Sequence, residues 1–125
     1  MKGIYFRTLF SLFIFLSACA TVQTAGQIES GRQALFKGNN QAALDYFQSV
    51  AQTNPDAVYG ATLRMGIFSF LGQAQYLTGN YTQARQSLQK ALSMHPGDNV
   101  ARLYLGLTQA RLGDRQTGLR ISKPV

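Results

Sequence analysis

The side chains that could carry catalysis or hold a metal are few in this 125-residue sequence. It contains one cysteine, Cys19, one histidine, His95, and five carboxylates that occur singly rather than in pairs. A structural zinc site takes four ligands, mostly Cys and His, and a hydrolytic triad places a histidine between a nucleophile and a carboxylate. The sequence shows neither pattern, and no glycine-rich phosphate-binding motif. We therefore predict no catalytic residue, no metal site and no cofactor, and His95 is interpreted as a turn residue.

Cys19 nevertheless has a sequence context that predicts a chemical role. Lys2 and Arg7 precede an apolar run over residues 9–18. A helix of this length rises only about 15 Å, half of a hydrocarbon core of about 30 Å, so the run is too short to span a bilayer. It is typical of a secretory signal peptide. Its last residues and the cysteine read Leu-Ser-Ala-Cys, which resembles the bacterial lipobox.

The resemblance to the lipobox implies a modification of Cys19 and a location for the protein. In bacterial lipoproteins this cysteine receives a diacylglycerol on sulfur, is freed by cleavage, and is then acylated on nitrogen, for example with palmitate. Residues 1–18 are accordingly predicted to be a cleaved signal peptide, and residues 19–27 the lipidated cysteine and a tether. Ala20, rather than Asp, favours the outer membrane, with the folded part facing the periplasm. The alternative is an ordinary signal peptide whose cysteine stays a free thiol.

Two series of glycines repeat along the rest of the sequence. In each series the spacing is 41 residues and then 34 residues. The first series is Gly31, Gly72 and Gly106, and the second is Gly38, Gly79 and Gly113. A period of about 20–50 residues indicates an array of similar supersecondary units. One unit is therefore a 34-residue module and another carries seven extra residues.

The unit resembles a tetratricopeptide repeat, a pair of antiparallel helices. The second unit carries the closest pattern, with Leu71-Gly72, then Ala84 and Leu88 four residues apart, then Pro96. The resemblance implies an all-α fold of tetratricopeptide-type helical hairpins over residues 28–122, about two and a half units long. The units are predicted at about residues 24–57, 58–98 and 99–122.

Apolar spacing supports helices independently of this resemblance. Ala43, Phe47 and Val50 follow the spacing of one helix face, and Ala84, Leu88 and other apolar residues do the same in the next unit. The seven extra residues fall between Pro55 and Gly72. They predict either a long first helix from about residue 58 to 78 or a short helix followed by a kink.

The third unit looks unfinished, because Gly118 stands where the pattern has Ala and the sequence stops at Val125. A helical repeat buries its apolar face by stacking, so a terminal unit needs a polar outer surface. We predict incomplete burial at four apolar residues, Leu105, Leu112, Leu119 and Ile121. Such a surface would suit a partner, a second copy or a further segment.

Charge and register together predict the kind of ligand. The sequence has 12 Lys and Arg against 5 Asp and Glu, but an exported protein is not expected to bind nucleic acid. In tetratricopeptide domains the first helices line a concave groove that binds peptides or partner helices. By register, the groove-facing residues are Arg32, Leu35, Phe36, Gln73, Tyr76, Leu77, Leu103, Leu107 and Arg111, with the alternative that the apolar ones are core.

The resemblance thus implies a membrane-anchored, non-catalytic adaptor or assembly factor of the bacterial cell envelope. Its partner would be another envelope protein. The lipid on Cys19 would anchor the protein to the membrane. The alternative is a structural envelope lipoprotein that self-associates through its C-terminal end.

Overall fold

A computed structural model describes residues 22–124 of the chain, which form six helices and one short hairpin. In chain order these are α1 (residues 22–36), α2 (Asn40–Thr53), β1 (Val58–Tyr59), β2 (Met65–Gly66), α3 (Ile67–Leu77), α4 (Tyr81–Met94), α5 (Asn99–Arg111) and α6 (Arg115–Ser122). The predicted fold of tetratricopeptide-type helical hairpins is confirmed. The signal peptide and Cys19 lie outside the described residues. Among the described helices, none combines the length and apolarity that crossing a bilayer requires.

The same turn joins the two helices of each pair. A glycine with positive φ ends the first helix, at Gly38 (76°), Gly79 (82°) and Gly113 (100°). The following N–H then bonds five residues back, from Asn39 to the Ala34 carbonyl at 2.8 Å in the first turn. This geometry satisfies the last helical carbonyls and favours glycine, because a Cβ is strained there. The second glycine series of the sequence therefore marks the turns of the three hairpins.

The first glycine series lets the paired helices approach closely. A Cβ at Gly31 would overlap the ring of Phe47, and a Cβ at Gly72 would overlap Leu88. The helices of the first two pairs therefore pack a large side chain of the second helix directly onto the backbone of the first.

Two buried clusters hold the array together. The first is built from large side chains, with Phe47 and Ile67 fully buried and the rings of Phe47 and Phe70 stacked at 5.3 Å. The second joins α4 to α5 and contains smaller residues, such as Ala84, Leu88 and Ala101. The first unit and α3 thus share the bulkier core.

The seven extra residues form neither of the two predicted arrangements. They lie in an antiparallel hairpin in which Val58 pairs with Gly66 and Tyr59 with Met65. The long helix over residues 58–78 and the kinked helix are both wrong, because Gly60 takes a positive φ of 98° and α3 begins only at Ile67. Aromatic and β-branched residues favour strands, whereas glycine destabilises a helix interior.

Two other details differ from the sequence prediction. Residues 22–27, predicted as a tether, are the first turns of α1, since each residue added to an existing helix gains a hydrogen bond at little further cost.

Leu105 is buried at 5 % exposure, so its predicted exposure is wrong: it belongs to the cluster beneath α5. The prediction is confirmed at Leu112 and Leu119, which are 39 % and 68 % exposed. Ile121 is partly buried against the second cluster.

Candidate partner-binding surface

The predicted groove residues of α3 and α5 lie together. Gln73 Nε2 on α3 donates a hydrogen bond to the Tyr104 hydroxyl on α5 at 3.1 Å. The Tyr76 and Tyr104 rings meet edge to face with centroids 5.5 Å apart. Arg111 Nε approaches the Tyr76 hydroxyl at 3.4 Å. These contacts fix the first helix of the second unit against the first helix of the third.

Tyr76 is the centre of this arrangement, which we call the tyrosine cluster (Tyr76, Tyr81 and Tyr104). The ring of Tyr81, at the start of α4, lies 5.5 Å from that of Tyr76. Aromatic pairs in such tilted geometry add about 0.5–1.5 kcal/mol beyond the area that they bury. The cluster is therefore a packed group of aromatic rings that is partly open to solvent. Tyr104 was not among the groove residues predicted from the sequence, although its position beside Leu103 on the same helix could have indicated it.

Arg111 places a permanent positive charge beside the tyrosine cluster. Its hydrogen bond to Tyr76 raises the pKa of the guanidinium above its ordinary value, with further contributions from Tyr76 and Tyr81. The side chain is exposed, and none of the ion pairs within residues 22–124 involves it. A carboxylate from outside the described chain could thus pair with it in bidentate fashion.

Three leucines extend the surface with apolar groups. Leu77, Leu103 and Leu107 are 39 %, 45 % and 38 % exposed. They are not core residues, which was the alternative reading of the apolar groove positions. The part of the groove on α3 and α5 therefore combines leucine, tyrosine and arginine side chains. That these residues bind a partner stays a prediction.

The groove residues of α1 behave differently. Arg32 Nη1 donates to Glu29 Oε2 at 2.8 Å and to the Tyr59 hydroxyl at 2.9 Å, and its guanidinium carbon lies 4.7 Å from the Tyr59 ring centre. The Tyr59 hydroxyl in turn donates to Glu29 at 2.6 Å. That hydrogen bond is the main reason that the pKa of Glu29 is lowered, and the charge of Arg32 adds to it. Arg32 therefore holds the β1–β2 hairpin against α1.

Phe36 and Leu35 lie further along α1. Phe36 is 94 % exposed, while Leu35 packs partly against the first core cluster. Within residues 22–124, no hydrogen bond or ring contact links Arg32 or Phe36 to the tyrosine cluster. Sequence register alone grouped these positions with Tyr76, and it could not show that Tyr59 from the inserted hairpin binds Arg32.

A cavity of about 510 Å³ lies between the hairpin and the α4–α5 turn. Leu63, Met65 and Met94 supply apolar walls, and His95 and Asp98 also line it. Asp98 Oδ1 accepts from the Ala101 N–H at 2.9 Å and so caps α5. His95 lies in the turn before α5, as its sequence context predicted, with its ring against Gly66. Within the described chain, no group of three or more His, Cys, Asp or Glu comes together in a way that could hold a metal ion.

Comparison with known proteins agrees with this architecture. Residues 71–98, which run from α3 through α4, match a family model described as a tetratricopeptide repeat. No curated protein sequence matches the chain significantly.

Solved structures of similar fold include the tetratricopeptide repeat domain of Arabidopsis OM64, with a TM-score of 0.69 and 17 % identity over 81 % of this chain and 78 % of that one. MamA gives a TM-score of 0.64 and 21 % identity over 79 % of this chain and 54 % of that one. A tetratricopeptide repeat protein from Parabacteroides merdae gives 0.62 and 21 % over 79 % and 38 %. The present chain thus spans about half of MamA and less of the third protein. The described residues therefore have the fold of tetratricopeptide domains, which generally bind protein partners.

Proposed function

We propose that this protein is a non-catalytic adaptor or assembly factor of the bacterial cell envelope, held at the outer membrane through a lipid on Cys19. The observation that carries the adaptor role is the surface formed by the tyrosine cluster, Leu103, Leu107 and Arg111. Tyrosine and arginine are enriched among the residues that contribute most to binding at protein interfaces. The surface is thus suited to a protein segment that offers apolar side chains and a carboxylate.

The fold itself supports an adaptor over an enzyme. Helical repeats present an extended surface on rigid elements rather than an enclosed site. The polar groups beside the tyrosine cluster belong to Gln73, Arg111 and the tyrosine hydroxyls, which suit the recognition of hydrogen-bonding groups on a ligand. Binding without turnover is the function that this chemistry fits.

The sequence supports the anchoring part of the proposal. The basic N-terminus, the apolar run and the Leu-Ser-Ala-Cys motif together favour a lipoprotein signal. One acyl chain gives only reversible membrane binding, at about 0.8 kcal/mol per methylene, whereas two or more chains hold a protein durably. A lipidated Cys19 would place the repeat domain close to the periplasmic face of the membrane.

Affinity capture from detergent-solubilised envelopes tests the adaptor role. A variant with Tyr76→Ala and Arg111→Ala removes the centre of the surface. The matched control replaces Tyr46, which is 41 % exposed on α2, and Lys37 with Ala. We expect the first variant to lose a partner that the wild type and the control both retain. Identical partners for all three proteins would contradict the proposed surface.

Metabolic labelling with palmitate tests the anchor separately. Wild-type protein should incorporate label and remain in the membrane fraction, and Cys19→Ser should do neither. If the wild type incorporates no label, the anchoring proposal is wrong while the capture experiment still decides the adaptor role.

A further inference from the structure

The C-terminal end of the array carries a cleft of about 330 Å³ between α5 and α6, which we call the end cleft. It adjoins the first surface, with which it shares Leu103 and Leu107. Its floor is made where Gly106 and Gly118 bring the two helix backbones together. Its apolar walls include Leu107 and Leu119, which are 38 % and 68 % exposed. Arg115 also lines it. Two leucine side chains thus remain exposed beside a floor that is formed by glycines.

The repeat register shows what kind of element fits the end cleft. Positions 34 residues apart are equivalent in the second and third units. Leu107, Ala110 and Arg115 of the third unit therefore correspond to Gln73, Tyr76 and Tyr81 of the second. In the second unit this surface is where the next helix packs, because Gln73 and Tyr76 contact Tyr104 of α5. Within residues 22–124 no helix occupies the corresponding place in the third unit. The end cleft therefore has the geometry that accepts a helix lying on a hairpin.

The charges around the end cleft indicate the chemistry of that helix. Arg115 lines the cleft and Arg120 directly follows Leu119 of its wall, and neither arginine forms an ion pair within residues 22–124. The carboxylate of Asp114 accepts a hydrogen bond from the Thr117 N–H at 2.9 Å and so caps α6. Hydrogen bonds to Thr117 are the main reason that its pKa is lowered, and the charge of Arg120 adds to the lowering. The rim is therefore positive and would orient an acidic ligand.

We propose that the end cleft binds an acidic amphipathic helix of another protein, with apolar side chains on Leu107 and Leu119 and carboxylates beside Arg115 and Arg120. This inference rests on the proposed adaptor function and assigns the partner chemistry of one end of the array.

A second copy of this chain fits less well. A symmetric contact through the end cleft would bring Arg115 and Arg120 of one copy against those of the other. A head-to-tail contact would use the first unit, where residues 22–53 carry two acidic and two basic residues and Glu29 is paired with Arg32. Neither arrangement offers the negative charge that the rim can accept.

The test is a titration of the full chain, with isotope-labelled leucine methyl groups, in nonionic detergent micelles. Two probe peptides of roughly 18 residues, about five helical turns, carry leucine on one face and either glutamate or lysine on the other. The glutamate peptide should shift the Leu107 and Leu119 resonances and leave Leu63, which is 82 % exposed on the hairpin, unchanged. The lysine peptide, which partitions similarly into a nonionic micelle, should shift none of them.

Substitutions make the assignment specific. Leu119→Asp should raise the apparent Kd of the glutamate peptide at least about tenfold, observed at Leu107, because it removes a central apolar contact and places a carboxylate opposite those of the peptide. The matched control Leu63→Asp should leave it unchanged. Arg115→Glu should weaken binding, and Lys37→Glu, which alters the net charge equally, should not.

Several results would overturn the inference. One is equal shifts with both peptides, which would indicate apolar contact through the micelle. Another is a response of Leu119 to phosphatidylglycerol in mixed micelles but not to the glutamate peptide, which would indicate a membrane surface. A concentration-dependent dimer that Leu119→Asp abolishes would indicate a second copy. Tyr76→Ala separates the two proposals, because it should impair partner capture and leave peptide binding at the end cleft intact.

Discussion

An arginine side chain contacts a tyrosine in two regions of the molecule, but the two arginines have different further partners. At the N-terminal end, Arg32 contacts Tyr59, and both side chains also bind Glu29. Near the C-terminal end, Arg111 contacts Tyr76, and the described residues provide no carboxylate for it. The first arginine is used inside the protein to hold an inserted hairpin, while the second keeps its charge for a ligand. A nearby carboxylate, rather than the arginine-tyrosine contact itself, separates the two roles.

The two regions also differ in how they are packed, and the largest expected effect lies in the core of the N-terminal region. Phe47→Ala should lower the free energy of unfolding by about 3–5 kcal/mol, because it empties a fully buried site among large side chains. Phe36→Ala, the matched control on α1, should change it little, since that ring is 94 % exposed. Urea unfolding of both variants measures the difference. Similar losses would mean that Phe36 is covered in the folded protein.

A smaller effect is expected at the α5–α6 contact. Gly106→Ala would place its Cβ 2.5 Å from the Gly118 carbonyl oxygen, so the helices must separate. Overpacking of this kind typically costs about 1–3 kcal/mol. Hydrogen exchange should show faster exchange in α6 and little change in α1 and α2.

Gly26→Ala is the matched helical control for that substitution. A Cβ there meets nothing within 4 Å, so the variant should be stabilised by about 0.5–1 kcal/mol through helix propensity. Destabilisation of Gly26→Ala would show that residues 22–27 are packed against something outside the described chain.

Arg111 and Arg32 allow a direct comparison of the two arginines. Arg111→Gln should leave the thermal midpoint of unfolding unchanged and reduce capture of the partner, because the charge is exposed and unpaired within residues 22–124. Arg32→Gln should do the reverse: it should loosen the hairpin, visible as altered Tyr59 resonances, and leave capture intact. If both variants lose the partner equally, the groove extends onto α1 as the register predicted.

The smallest expected effect concerns the pKa of Glu29. In Tyr59→Phe this pKa should rise toward its ordinary value, and by more than in Arg32→Gln, because the Tyr59 hydrogen bond is the main cause of the lowering. A carboxyl group whose pKa is lowered by folding stabilises the folded state at pH values above its unfolded-state pKa. This stabilisation is lost as the pH falls through the folded-state pKa. The stability difference between wild type and Tyr59→Phe should therefore shrink on acidification. A carboxyl titration by NMR measures the pKa directly.

Local sequence signals were sufficient to predict the pairs of antiparallel helices but not the contacts between residues distant in the sequence. Gly38 and Gly79 could be assigned to turns because left-handed backbone favours glycine, and Phe47 could be assigned to the core from helical spacing. The β1–β2 hairpin could not, because strands of two residues are too short to show a period. The contact between Glu29 and Tyr59 spans 30 residues, so register gave no sign that Arg32 is engaged.

The tip of the β1–β2 hairpin is a position at which the chain can be extended. This exposed tip, residues 60–64, joins two repeats without belonging to either. Chain inserted at an exposed loop tip is usually tolerated, because it displaces no packed backbone. An epitope or small fluorescent label placed between Ala61 and Thr62 would therefore mark the molecule for imaging, away from both the tyrosine cluster and the end cleft.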